Sequence, residues 1–211
     1  MATIEKIRQA YQEYVLEHGQ QPASVFAFAK KLKITESDFY GFYNSFEQIE
    51  RDIWTSFFDE TRKRLEAEEV FGTYSVREKL LAFYFTWIEV LTANRSFVLR
   101  SVKEFRQQRS LRTPVALEGF KGQFQKFVRD LLEEGRESQE VKSRRFLDTR
   151  YPDAFWIQTL WLLDFWTKDT SARFEKTDSA IEKAVNAAFD LIGVSALDSV
   201  LDLAKFVYQN H

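Results

Sequence analysis

Apolar residues along this chain recur at intervals of three and four, the spacing that lines one face of a helix. Ile4, Ile7, Tyr11, Tyr14 and Val15 form the first stripe, which stops at His18-Gly19, where glycine suits a left-handed C-cap. A short helix is predicted from about Ser24 to Leu32. Thr35 followed by Asp38 has the spacing of a capping box, opening another short helix through Tyr43. Ser45 with Gln48 repeats that signal before a long stripe of Phe46, Ile49, Ile53, Phe57 and Leu65.

The pattern continues past residue 75. Ser75 with Glu78 opens a helix with Leu80, Phe83, Tyr84, Trp87 and Leu91 facing inward. Thr113-Pro114 places proline where a first helical residue belongs, ahead of Leu117, Phe120, Phe124, Phe127 and Leu131. GRESQEVKSRR reads as a loop. Pro152 begins AFWIQTLWLLDFW, which is apolar nearly all round, so this helix is expected to be covered on most sides. The last helix starts near Thr177 to Ser179, turns Ile181, Val185, Ala188 and Ile192 inward, and bends near Gly193. About nine helices result, three short ones by residue 43 and six longer ones.

Composition narrows the function classes. Only 7 Gly and 3 Pro in 211 residues leave little turn material for a sheet, so the fold class is all-α. With 45% hydrophobic and 29% charged residues, the chain is a globular one. A formal net charge of −2 gives no global attraction for nucleic acid or an anionic membrane. The absence of cysteine excludes disulfides and thiolate chemistry. No apolar run has the length of a signal peptide or membrane span, so a cytoplasmic location is expected.

Catalytic chemistry is sparse. His18 and His211 are the two histidines, too few for a histidine-based metal site, and His18 suits the end of its helix. No nucleophile elbow, phosphate loop or dinucleotide fingerprint occurs, so neither an enzyme, a metal nor a cofactor is expected. Aromatics carry more information. Phe57, Phe83, Trp87, Phe124 and Trp161 fall on helices able to face one another, and bulky rings packed irregularly can leave a cavity for a flat or greasy ligand. Between residues 95 and 112, Arg95, Arg100, Lys103, Arg106, Arg109 and Arg112 stand against Glu104 alone. That stretch reads as solvated surface at helix ends, with an acidic ligand head or partner as the alternative.

Residues 4 to 49 resemble the N-terminal domain of the TetR (tetracycline-repressor) family. Ile7, Val15 and Gly19 match its first helix, Phe28-Ala29 its Ile-Ala pair, and Ile34-Thr35 the Val-Ser before the recognition helix. Phe39-Tyr40 stands for Leu-Tyr, Tyr43 for Phe, and Glu47 and Ile49 for the acidic and apolar positions opening the fourth helix. The resemblance implies a helix-turn-helix domain over 1–45 and a six-helix ligand-binding and dimerisation domain over 46–211. It implies a homodimeric regulator of transcription, acting as a repressor, that binds operator DNA and a small hydrophobic or aromatic ligand. Ser24, Ser37, Tyr40, Gly41, Phe42, Asn44 and Ser45 would then lie at or near DNA.

The departures from that family concern charge. Phe46 occupies its phosphate-binding lysine position, Lys33 its turn glycine, Phe26 a basic or polar site, and Ser37-Asp38 its Gly-Thr. Residues 1 to 50 hold five Lys and Arg against seven Asp and Glu, so DNA binding should be weak. Around FWTKDTSARFEKTDSAIEKAV the chain also resembles the end of TetR-fold lipid-binding proteins of ubiquinone biosynthesis, through Trp166, Asp169, Ser171, Thr177 and Asp178. That likeness implies the alternative of a lipid- or isoprenoid-binding protein that has lost DNA binding.

Overall fold

The structure is a computed structural model, and it describes residues 3–107, 112–144 and 147–193. Nine α-helices and no strands occur among them: α1 (Ile4–His18), α2 (Val25–Leu32), α3 (Glu36–Tyr40), α4 (Phe46–Glu66), α5 (Val76–Ala93), α6 (Arg95–Gln107), α7 (Glu118–Glu137), α8 (Tyr151–Lys168) and α9 (Glu175–Ile192). They divide into two compact units. The first comprises Met1–Glu60 with Val90–Gln123, the second Thr61–Glu89 with Phe124–His211.

The first unit is built around aromatic rings. Phe28 on α2 meets Tyr11, Phe39 and Phe46 edge-on at 6.1, 6.2 and 5.7 Å, and Tyr11 stacks on Phe46 at 5.6 Å. Phe28, Tyr11 and Phe39 are fully buried, and burial of such a ring contributes about 2–3 kcal/mol. Phe46, in the position of the family's lysine, is therefore a half-buried member of this core, in contact with Tyr11, Phe28 and Phe39. Further along α4, Trp54 packs on Phe105, Phe57 on Phe97 and Phe58 on Phe120. Gly119 makes this packing close: a Cβ there would lie 2.2 Å from Thr55 Oγ1.

Caps fix the element boundaries. Gly19 ends α1 in the left-handed region at φ 70°, and Lys33 ends α2 in the same way at φ 58°. The predicted capping box is present, with the Thr35 hydroxyl and Asp38 carboxylate bonding reciprocally to each other's backbone. α3 stops at Tyr40, short of the predicted Tyr43, and turns follow at Gly41 and Phe42. The stretch 95–107 differs more from expectation. It is a helix of its own, because Phe97, Val98 and Val102 give it a buried face between its cations. Pro114 precedes a short 3-10 turn over Val115–Leu117, and α7 begins only at Glu118.

In the second unit, Phe83 touches Phe124 at 5.5 Å and Phe127 at 5.0 Å, and Phe124 touches Trp156 at 6.2 Å. The buried Tyr84 hydroxyl lies 3.0 Å from Thr159 Oγ1, which itself donates to the Phe155 carbonyl. Lys79 pairs with Glu134 across α5 and α7. The buried Arg144 donates to the Ile192 and Gly193 carbonyls at 3.0 and 2.8 Å, neutralising the carbonyl end of α9. α8 and α9 pack together.

The start of α9 has an unusual turn. Arg173 and Phe174 lie in the left-handed region in succession, at φ 51° and 63°. Asp169 holds the turn together, accepting from the backbone and hydroxyl of both Ser171 and Thr177. Burial alone would raise its carboxyl; those four hydrogen bonds outweigh burial and hold its pKa at about 2.

α8 is less covered than its composition suggests. Trp156, Leu162, Leu163 and Trp166 are buried, yet Ile157 is 67% and Trp161 48% exposed. Ala196, Val200, Leu203 and Val207, an apolar series beyond Gly193 in the sequence, lie outside the described residues.

Candidate nucleic-acid interface and ligand region

α2 and α3 pack on each other, forming the helix pair that a helix-turn-helix requires. Ser24 caps α2, its Oγ accepting from the Ala27 amide at 3.1 Å, which leaves it at the helix entrance and exposed. Ser37, Tyr40, Gly41, Phe42 and Asn44 are all exposed on or just after α3, and Ser45 is half-buried. Ser45 Oγ accepts from the Gln48 amide, while Gln48 Oε1 accepts from the Asn44 amide, so this pair opens α4. Tyr40 and Phe42 retain 50% and 37% exposure, whereas Phe39 between the same turns is fully buried. The opposite fates of Phe39 and Tyr40 follow from their positions on a short amphipathic helix.

The charge of this face is negative. The Thr35 side-chain and backbone hydrogen bonds hold the Asp38 carboxyl below its usual range, so the carboxylate persists at the start of α3. Cations nearby are partly engaged elsewhere: Lys31 lies 3.2 Å from Glu17 and over the Tyr14 ring, and Arg8 lies 3.7 Å from Asp52. Lys30 and Lys33 are exposed at the end of α2. His18 stacks on Tyr14 with its Nδ1 2.9 Å from the Tyr14 carbonyl, in keeping with a helix-end role. Of the basic stretch, Arg100 pairs with Glu104, Lys103 and Arg106 are exposed, and Arg109 lies outside the described residues.

The five aromatics expected to line one cavity are distributed differently. Phe83 and Phe124 are in direct contact, and Tyr84 joins them to Trp87 at 6.1 and 6.4 Å. All four are fully buried. Phe57 belongs to the first unit, against Trp54 and Phe97. Trp161 pairs with Phe165 at 5.6 Å and opens onto a groove of about 790 Å³ between α8 and α9, lined also by Ser171, Glu175 and Ala184. None of the other four lines that groove. Trp161 is displaced from the expected group because residues 157 and 161, one turn apart, share the uncovered side of α8. A second groove of about 370 Å³, lined by Ala154, Gln158, Ala187 and Leu191, lies further along the same helix pair.

Three features had little signature in the spacing. The buried Tyr84–Thr159 pair could be suspected only from a polar residue on an apolar face. The same holds for Tyr11, whose hydroxyl bonds to Glu50 at 2.7 Å. Asp169, Ser171 and Thr177, singled out through the lipid-binding resemblance, together hold the turn before α9 described above. Among the described residues, no acidic or histidine cluster could hold a metal ion, and no helix is long and apolar enough to cross a membrane.

A three-helix head with residues of its third helix exposed, followed by longer helices, is the layout of a helix-turn-helix fold of the regulator type. The family model of the tetracyclin repressor-like C-terminal domain matches residues 79–207, and the chain belongs to that family. A solved structure from Shewanella sp. PV-4, assigned to the tetR family of transcription regulators, superposes with a TM-score of 0.60 at 14% identity. The likeness covers 92% of this chain and 100% of that one. No curated protein matches the sequence.

Proposed function

We propose that this chain is a ligand-responsive regulator of transcription that binds operator DNA as a homodimer, so weakly that binding is lost by moderate salt. The observation that carries the reading is the open face of α3: Ser37, Tyr40, Gly41 and Phe42 are exposed while Phe39 anchors the helix to the core. Ser24, Asn44 and Ser45 flank that face. Repression is the proposed outcome, with binding rather than catalysis as the activity and the cytoplasm as its place. By position, residues 1–45 are the reading part and residues 46–211 the part that binds ligand and partner.

Dimerisation is assigned to α8 and α9. Ile157, Trp161 and Leu191 are exposed apolar side chains along that pair, and Ala184 borders both grooves. Gln158 Nε2 is buried without an acceptor among the described residues, and a second copy packing there as a four-helix bundle would supply one. The ligand is a small hydrophobic or aromatic molecule, for which Phe83, Trp87 and Phe124 offer an apolar surface. Its entry has to part rings that touch in this conformation. Phe57 and Trp161, elsewhere in the fold, complete the proposed set of responsive aromatics.

Fluorescence anisotropy with DNA from upstream of the protein's own gene tests the reading across a salt series. Binding at low salt that disappears by moderate salt, with a shallow slope, is expected. No preference over unrelated DNA at any salt would favour the second reading, a lipid- or isoprenoid-binding protein without operator binding. That alternative is supported by a specific feature: residues 34 to 50 contain no Lys or Arg.

A further inference from the structure

The gap between α8 and α9 changes character along its length. Near the start of α9 its walls are Trp161 and Phe165 on one helix and Lys176, Ser179 and Lys183 on the other. Toward the end of α9 they are Ala154, Ala187 and Leu191, and Ala184 borders both stretches. Alanine is too short to fill the space between helices that larger rings hold apart, as Phe155 and Phe189 do here at 6.1 Å. The two grooves thus adjoin as one channel, polar at one end and apolar at the other. From Ser179 to Leu191 it follows α9 for about 18 Å, the reach of an extended long acyl chain.

Charge decides what the polar end takes. Lys176 and Lys183 are exposed, two turns apart on α9, and neither makes an ion pair among the described residues. Glu175 is the acidic residue of that wall, so two ammonium groups and one carboxylate leave a single net positive charge. One ligand carboxylate balances it, and an ammonium-to-carboxylate hydrogen bond is of the stronger kind. Beside the lysines, Trp161 is 48% exposed and pairs with Phe165 at 5.6 Å, an uncovered aromatic wall that gains by meeting hydrocarbon. We propose that the channel binds one long-chain fatty acid, its carboxylate between Lys176 and Lys183 and its chain along Ala184, Ala187 and Leu191. Neither Phe83, Trp87 nor Phe124 lines this channel, so the site is separate from the apolar surface they offer. It lies on the face assigned above to a second copy, and an occupied channel and a closed dimer exclude each other. That exclusion rests on the dimer reading; binding in the channel does not.

Brominated stearate, which quenches tryptophan on contact, tests the channel in the full chain. Saturable quenching at one fatty acid per chain is expected, carried by Trp161, since Trp54, Trp87, Trp156 and Trp166 are all buried. Trp161→Phe should remove most of that signal. Lys176→Gln with Lys183→Gln should raise the Kd about tenfold, the size expected for losing a hydrogen bond between charged groups. The matching brominated alcohol should bind the unaltered chain as weakly as the acid binds the double variant. Ala184→Leu, which fills the channel where its two stretches meet, should also weaken binding. A Kd unmoved by the lysine changes, equal affinity for acid and alcohol, or stronger attachment to phosphatidylglycerol vesicles than to the free acid would each overturn the proposal. Light scattering reads the exclusion: saturating brominated stearate should bring the particle down toward 25.0 kDa, and a dimer that persists would refute it. A single chain before any fatty acid is added would sink the dimer reading alone, with quenching still deciding the channel.

Discussion

Phe46 shows how one side chain can be misjudged from a family position. The lysine it replaces would face phosphate, so restoring the lysine looks like a route to tighter DNA binding. In the structure the ring stacks on Tyr11 and meets Phe28 and Phe39 edge-on, half-buried at the centre of the head. Phe46→Lys should therefore destabilise the protein by about 2–4 kcal/mol, through lost ring packing and a poorly placed charge. Urea unfolding would show it as a lower midpoint. Glu36→Lys with Glu47→Lys is the better test of the charge argument, as both carboxylates are exposed. That double change should strengthen DNA binding and steepen its salt dependence, and anisotropy across the salt series measures both.

A second residue carries a pH signature. The Asp169 carboxyl is held at about 2 against an ordinary value of 3.8, so the folded form favours its ionised state. The resulting stability is complete above the ordinary value and is lost as pH falls toward 2. Asp169→Asn should melt lower than the unaltered chain at neutral pH, and the gap should close between about pH 4 and 2. Thermal melts over that range would show a parallel pair of curves if the carboxylate contributes nothing.

At the scale of elements, the sequence was most legible where a stripe and a cap coincide. α1 ends at the glycine its pattern indicates, and α3 opens on its capping box, because both signals act within a few residues. α6 was obscured by its charges: Phe97, Val98 and Val102 bury one side while its four cations, Arg95, Arg100, Lys103 and Arg106, dominate the composition around them. The approach of α7 to α4 left no periodic trace, only a glycine at position 119. Alanine normally favours a helix over glycine by about 1 kcal/mol. At Gly119 its Cβ would press on Thr55 Oγ1, which is itself bonded to the Arg51 carbonyl at 2.7 Å. Overpacking of about 1–3 kcal/mol should win, so Gly119→Ala is expected to lower the melting temperature. Adding Thr55→Ala should restore most of the loss, a coupling that a double-mutant cycle reads directly.

For the whole molecule, the candidate site was legible only in part. Exposure of Tyr40 and Phe42 against burial of Phe39 follows from helical spacing, and so does the exposed face of α3. The grouping of Phe57, Phe83, Trp87, Phe124 and Trp161 was not readable, since one chain's apolar pattern does not distinguish a core face from a face awaiting another copy. Trp161 and Ile157 illustrate the ambiguity on a single helix. If α8 and α9 form the proposed dimer, Ile157→Lys with Leu191→Asp should halve the mass seen by light scattering, from twice 25.0 kDa to one chain. A particle of one chain before any substitution would remove the basis for that assignment.

The turn before α9 has a consequence for engineering. An L-residue in the left-handed region carries a cost of about 1–2 kcal/mol, and Arg173 and Phe174 do so in sequence. Phe174 packs on Trp166 at 5.9 Å, but the Arg173 side chain is exposed. Glycine at 173 would remove the steric cost while adding about 0.5–1 kcal/mol of unfolded-chain entropy. Arg173→Gly should thus raise the melting temperature slightly, while Arg173→Val should lower it. Deleting an entire charged side chain, and putting a poor helix former beside a helix, becomes the thermostabilising choice at this one position.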